Sequence, residues 1–182
     1  MSFYISKLKK INLKENGSKN YGASNTLMLI GKKEALLVLI HDVLKSFIST
    51  IIINQIFPNI PYIGLMAGVS AILGHIFPFY LKFDGGKGFA SYIGLLFAIN
   101  FKFAIINIFI IIIISFLSNY IVMGTFYTIL ITPLLLFLIT KDLLFMIIMY
   151  IPSIIILIKH KENILKLINK TEPKLRNILF KK

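Results

Sequence analysis

The chain has 182 residues, 57% of them hydrophobic and 15% charged, with a net charge of +13 and no cysteine; its mean hydropathy is +0.85. Soluble domains carry roughly 45–50% apolar and 25% charged residues, so the surplus excludes a disordered chain and calls for a surface that faces lipid. The missing cysteine excludes disulfides and Cys-based zinc sites, and the three histidines lie far apart with no shared ligand spacing, so neither a metal nor a cofactor is expected.

Basic residues gather at the two ends. Lys7, Lys9, Lys10, Lys14, Lys19, Lys32 and Lys33 lie in 1–34, and Lys159, Lys161, Lys166, Lys170, Lys174, Arg176, Lys181 and Lys182 lie in 159–182. Long apolar stretches separate them, which leaves no exposed basic face with interleaved aromatics for nucleic acid. The distribution instead fits positive-inside topology with both termini cytoplasmic.

Residues 1–34 are polar and contain no apolar run long enough to cross a bilayer. Ala35 to Phe57 is long enough and ends at Pro58-Asn59-Ile60-Pro61. Tyr62 to Tyr80 is the second span, with Gly64, Ala67, Gly68, Ser70, Ala71 and Gly74 at helical spacing for close helix packing in lipid. Leu81 to Ser91 is a glycine-rich, charged break that cannot face lipid. Gly88 to Ile99 reads as a short or re-entrant helix, Asn100-Phe101-Lys102 as a turn, and Phe103 to Leu117 as a full span. Asn119 to Thr125 is read as a cytoplasmic turn, Phe126 to Ile139 as a helix bent at Pro133, Thr140-Lys141-Asp142 as a turn, and Leu143 to Ile158 as the last span. The expectation is an all-α, polytopic membrane bundle of about six transmembrane helices forming one domain over 1–182. All but three of the 20 basic residues, Lys45, Lys102 and Lys141, then fall on the cytoplasmic side.

That topology puts three polar segments, 16–28, 74–91 and 160–172, on one side of the bilayer. The first packs small residues, hydroxyls and amides together, as an anion-binding nest does, or as a plain flexible turn does. The second follows His75 with Gly85-Gly86-Lys87-Gly88, whose open amides and single ammonium suit a phosphate; it lacks Walker A spacing, and a structural glycine turn is the alternative. In the third, His160 and Asn163 share a helical face and can orient a hydroxyl or phosphate. Asp42 and Lys45, three apart within the first span, read as a structural ion pair facing the bundle.

The blocks GSKNYGASN (17–25), GHIFPFYLKFDGGKGFAS (74–91) and HKENILKLINKTE (160–172), with Asp42-Val43-Leu44-Lys45 between the first two, resemble the bacterial integral-membrane acyl-phosphate:glycerol-3-phosphate acyltransferase family, the PlsY type. The resemblance implies a multi-pass protein of the bacterial cell membrane acting in phospholipid biosynthesis. Its substrates would be acyl phosphate and glycerol 3-phosphate, its products lysophosphatidic acid and phosphate, and its surroundings the lipid bilayer. It implies Ser18, His160 and Asn163 as catalytic residues, and Asn20, Asn25, His75, Gly85, Gly86, Lys87, Gly88 and Glu172 as substrate or phosphate contacts.

The chain departs from the family's pattern at several points. The family's usual additional helix before the first block is replaced by MSFYISKLKKINLKEN. Met28 stands for an arginine, Asp84 for a lysine, Lys166 for an arginine and Lys170 for a glycine. Two other readings are a catalytically inactive paralog serving as a membrane partner or regulator, and a small transporter or anion channel.

Overall fold

The computed structural model describes residues 1–179, so Lys181 and Lys182 of the basic tail lie outside the described residues. The described part is helical: α1 (Ser2–Leu8), α2 (Ala23–Leu29), α3 (Lys32–Ile56), α4 (Ile63–Ile76), α5 (Phe89–Ile99), α6 (Phe101–Ser118), α7 (Ile121–Thr140), α8 (Leu143–Lys159), α9 (Lys161–Ile168) and α10 (Leu175–Leu179), with a 3-10 turn at Phe79–Leu81. They fall into two compact units, Met1–Ile99 and Asn100–Lys182.

In the first unit α3 packs against both α4 and α5, and α2 rests on α3. The buried positions of α3 include Val38, Asp42, Ser46 and Thr50, a stripe with a four-residue repeat, while Leu37, Ile40, Leu44, Ile48 and Ile52 are exposed. Polarity is therefore inverted relative to a soluble protein, as expected when lipid surrounds the helix and polar groups must find partners inside. The glycines of α4 and α5 explain the tight contact. A Cβ on Gly64 would stand 2.6 Å from the Asn54 Cβ and 2.8 Å from the Thr50 carbonyl oxygen, and one on Gly94 would collide with the Val43 carbonyl. Ser46 Oγ donates to the Ser91 carbonyl across the α3–α5 contact.

In the second unit α7 packs against α6 and α8. Its inner face carries Gly124, Thr125, Thr128 and Thr132, and Thr132 Oγ1 donates to Asn107 Oδ1 of α6 at 3.1 Å. Asn100 caps α6 by accepting from the Phe103 N–H at 2.9 Å, and Asp142 caps α8 by accepting from the Phe145 N–H at 2.9 Å. α10 is tied back through Asn119, whose carbonyl accepts from the Leu175 N–H and whose Oδ1 accepts from the Arg176 N–H.

Four segments among the described residues are long and apolar enough to cross a membrane: Lys32–Ile56, Ile63–Leu81, Phe101–Ser118 and Ile121–Thr140. Leu143–Lys159 and Lys161–Ile168, bent by 54° at His160, add a fifth if counted as one. The remaining apolar helix, α5, has 11 residues, about 16 Å of rise against roughly 30 Å of hydrocarbon.

Several boundaries differ from the sequence expectation. Of the turn expected at Asn119 to Thr125, only Asn119 and Tyr120 lie outside a helix, because Thr125 belongs to the buried threonine face of α7. Of Asn100-Phe101-Lys102, only Asn100 precedes α6, as its cap. The helix expected over Tyr62 to Tyr80 ends at Ile76, and Pro78 leads into the 3-10 turn. Residues 1–34, read as polar and without a membrane span, contain the short helices α1 and α2 and the first residues of α3.

Candidate active site

The first block is organised by Asn25, which is fully buried in α2. Its Oδ1 accepts from the Ser18 N–H at 2.8 Å. Its Nδ2 donates to the carbonyls of Leu13 at 2.8 Å, Asn20 at 3.0 Å and Asn16 at 3.3 Å. One amide thus gathers the whole 13–20 loop, and both polar atoms of Asn25 are engaged by the chain itself. Gly17 must be glycine here: its φ is +63°, and a Cβ would collide with Asn25 Oδ1. Ser18 is half-buried, and Asn20 Oδ1 is buried without a hydrogen-bond partner. Met28 is 47% exposed on α2.

The second block folds back on the end of α4. The Gly85 N–H donates to the Ile76 carbonyl at 3.0 Å and the Gly86 N–H to the His75 carbonyl at 3.2 Å. A side chain is excluded at both positions. A Cβ on Gly85 would collide with the His75 carbonyl and stand 2.6 Å from Pro78 Cδ; one on Gly86 would collide with His75 Nε2 and stand 2.7 Å from the Tyr21 carbonyl oxygen. The glycine turn therefore touches both α4 and the first block. Gly88 has a φ of +90°, Lys87 is half-buried, and Gly85, Gly86 and Gly88 are buried. Asp84, at the start of the turn, pairs with Lys14 at 2.5 Å, and the Lys14 ammonium sits 5.3 Å from the Tyr21 ring centre. Burial first, and the Asp84 charge second, hold the Tyr21 phenol above its ordinary pKa.

Beneath the turn lies a buried charged cluster. Lys45 Nζ donates to Asp42 Oδ1 at 2.6 Å and to His75 Nδ1 at 2.7 Å. His75 Nδ1 and His41 Nδ1 lie 3.5 and 3.6 Å from the same carboxylate oxygen. The expected structural ion pair is thus correct as a pair, but His75 joins it, and the group lines a cavity of about 330 Å³ with Tyr21, Gly74, Gly85 and Gly86. Sequence reasoning did not place Asp42 or Lys45 at a site. The intramembrane charges were the signal; their third partner, 30 residues away, was not legible. The Lys45 ammonium occupies the point between Asp42 and His75, and no group of three His, Asp or Glu among the described residues could hold a metal ion.

His160, Asn163 and Glu172 belong to the second unit. His160, only 6% exposed at the α8–α9 junction, donates from Nδ1 to the Ile156 carbonyl at 2.8 Å, and its ring meets Phe126 edge-on at 6.1 Å. Donation from Nδ1 leaves Nε2 as the acceptor in the neutral ring. Asn163 Nδ2 donates to Glu172 Oε1 at 2.8 Å, and Glu172 Oε2 is buried without a partner. The chain doubles back between them because Lys170 adopts a φ of +56°, where Thr171 and Glu172 N–H groups reach the Lys166 carbonyl.

Residues 1–170 match the family model described as glycerol-3-phosphate acyltransferase. A glycerol-3-phosphate acyltransferase of Wolbachia sp. subsp. Brugia malayi is 35% identical over 173 residues, 95% of this chain and 90% of that one. The crystal structure of PlsY, an integral membrane glycerol 3-phosphate acyltransferase, superimposes in its glycerol 3-phosphate form with a TM-score of 0.90 at 29% identity, covering 98% of this chain and 92% of that one. Its lysophosphatidic acid form gives 0.88 at 28% identity, over 99% and 91%.

Proposed function

The chain belongs to the glycerol-3-phosphate acyltransferase family, and from that premise we infer that its acyl donor is an acyl phosphate. The protein is an acyltransferase that esterifies glycerol 3-phosphate within the membrane; the donor and the residue roles that follow are our reading. The observation that supports this reading is the glycine turn, whose Gly85 and Gly86 donate their N–H groups to the end of α4 and pack closely against it and the first block, which fixes the backbone that carries Lys87.

A mixed carboxylic–phosphoric anhydride is already activated, so positioning and charge neutralisation can supply most of the catalysis. No cysteine exists to form a thioester intermediate. The C1 hydroxyl oxygen of glycerol 3-phosphate bonds to the acyl carbonyl carbon, and the bond from that carbon to the phosphate oxygen breaks. Inorganic phosphate departs with the electron pair, and lysophosphatidic acid forms. The hydroxyl proton passes to His160 Nε2, the ring nitrogen left as acceptor by the Ile156 bond, and from there to the departing phosphate. Asn163, held by Glu172, orients the glycerol phosphate. Ser18 and Asn20 contact substrate from the loop that Asn25 holds, Lys87 neutralises phosphate, and His75 supports the turn.

Purified protein given palmitoyl phosphate or palmitoyl-CoA with labelled glycerol 3-phosphate tests the donor. Lysophosphatidic acid from palmitoyl phosphate alone is expected; product from palmitoyl-CoA alone would overturn it. We also assign both termini to the cytoplasm, supported by the basic residues at the two ends. A Lys161→Cys variant should resist an impermeant maleimide on intact cells while Lys141→Cys reacts, and the reverse pattern would invert the topology.

A further inference from the structure

We propose that Lys45 is a positioning residue for the glycine turn: seated by Asp42, it fixes His75 as the Nε2–H tautomer and thereby sets the ring edge on which Gly86 rests. Asp42 is 3% exposed, and a carboxylate there needs a partner. Lys45 supplies it at 2.6 Å and spends a second hydrogen on His75 Nδ1 at 2.7 Å. An ammonium has no acceptor, so Nδ1 must be the acceptor and the ring proton sits on Nε2. The Asp42 oxygen, 3.5 Å from Nδ1, is too far to compete for that nitrogen.

The other edge of the ring carries the consequence. His75 Nε2 lies so close to Gly86 that no Cβ fits between them, and the Gly86 N–H is bonded to the carbonyl of the same histidine. Backbone and ring of His75 thus hold Gly86 together, one residue before Lys87. Rotation of the ring, or its other tautomer, would move the support of the turn while leaving every residue of the turn intact. Two of the three N–H donors of Lys45 are thus held by Asp42 and His75.

The functional half of this proposal rests on the phosphate role given above to the glycine turn; the tautomer half does not. Imidazole 15N NMR of the full-length protein in detergent, without substrate, should give an unprotonated Nδ1 and a protonated Nε2 for His75. A Lys45→Met/Asp42→Asn double variant, which removes both charges together and so avoids a lone buried carboxylate, should shift that ring toward the other tautomer. It should also raise the KM for glycerol 3-phosphate or the acyl donor about tenfold with kcat changed less than about twofold. Lys45→Arg, which keeps the cation and its donors, should restore much of the KM. An unchanged His75 spectrum in the double variant would overturn the tautomer lock. A shifted spectrum with unchanged KM for both substrates would overturn the positioning role, provided Lys87→Ala raises a KM in the same assay; if Lys87→Ala is also silent, the phosphate role of the turn is what fails, and the lock is judged by the spectrum alone.

Discussion

Asp84 Oδ2 lies 2.5 Å from Lys14 Nζ, joining the chain ahead of the first block to the start of the glycine turn. Lys14 supplies the cation that balances Asp84, and it also sits over Tyr21. The carboxylate is 62% exposed, so the pair stabilises the fold by only ~0.2–1 kcal/mol. Its larger effect should be on the geometry of the turn. Lys14→Glu, which sets two acids together, should raise the KM for a phosphate substrate several-fold, and Lys14→Glu/Asp84→Lys should regain most of it. A double-mutant cycle on kcat/KM measures the coupling; strictly additive effects would mean the pair is idle.

The same acid acts on Tyr21. Burial and the Asp84 charge both raise the phenol's pKa, so the unfolded chain releases this proton first. The group's contribution to stability is complete below the unfolded value of about 10 and is lost as pH rises through the higher folded value. Asp84→Asn should lower the Tyr21 midpoint without returning it fully, since burial is the larger cause. Carbon-13 NMR of labelled tyrosine, with Tyr21→Phe for assignment, reads it directly, and an unmoved or higher midpoint would contradict the assignment.

Asn25 turns a polar sequence into a fixed loop, and its loss should be felt as folding. Asn25→Ala leaves the Ser18 N–H and up to three carbonyls without their partner, at about 1–3 kcal/mol for each buried group that water cannot reach. Melting of the detergent-solubilised variant should fall markedly, together with activity. Gly17→Ala should do the same through strain and collision with the same amide. A variant at Asn25 that melts normally but cannot bind substrate would instead make it a direct ligand.

These cases locate what a sequence can disclose. The long helices were legible because lipid demands continuous apolar residues. Thr125 misled because a polar residue in a soluble protein marks a turn, whereas in lipid it marks the inner face; the buried threonines of α7 carry no outward sign of which it is. α1 and α2, at seven residues each, are too short for a periodic signal. Glycine at 85 and 86 was visible as a motif, but its reason, the approach of His75 and Tyr21, exists only in the fold. Likewise the pairing of Asp42 with Lys45 follows from helical spacing, while the arrival of His75 depends on how α4 packs on α3.

Lys170 is a departure with a local account. Its φ of +56° just past the end of α9 is a position where glycine is favoured. Lys170→Gly should therefore stabilise the protein by up to about 1 kcal/mol, with KM values unchanged, as seen by thermal melting and kinetics in parallel. Downstream of it, Glu172→Gln keeps an acceptor for Asn163 and should retain most activity, whereas Glu172→Ala should not. Equal losses in the two would show that the charge of Glu172, rather than its bond to Asn163, is what matters.

His160 offers the sharpest separation of structure from chemistry. Its Nδ1 is spent on the Ile156 carbonyl inside the α8–α9 junction, so only Nε2 can take a proton from substrate. Asparagine places an N–H near the position of Nδ1 and nothing at Nε2; glutamine reaches further, toward the position of Nε2, and does not reproduce the Nδ1 donor. His160→Asn should keep the junction bond and melt close to the unmodified protein while losing about 10²–10⁴ in kcat, the usual contribution of a general base. His160→Gln should lose the junction bond and melt lower by about 0.5–1.5 kcal/mol of stability. Substantial turnover by His160→Asn would remove His160 from proton transfer and leave it a structural role at the α8–α9 junction.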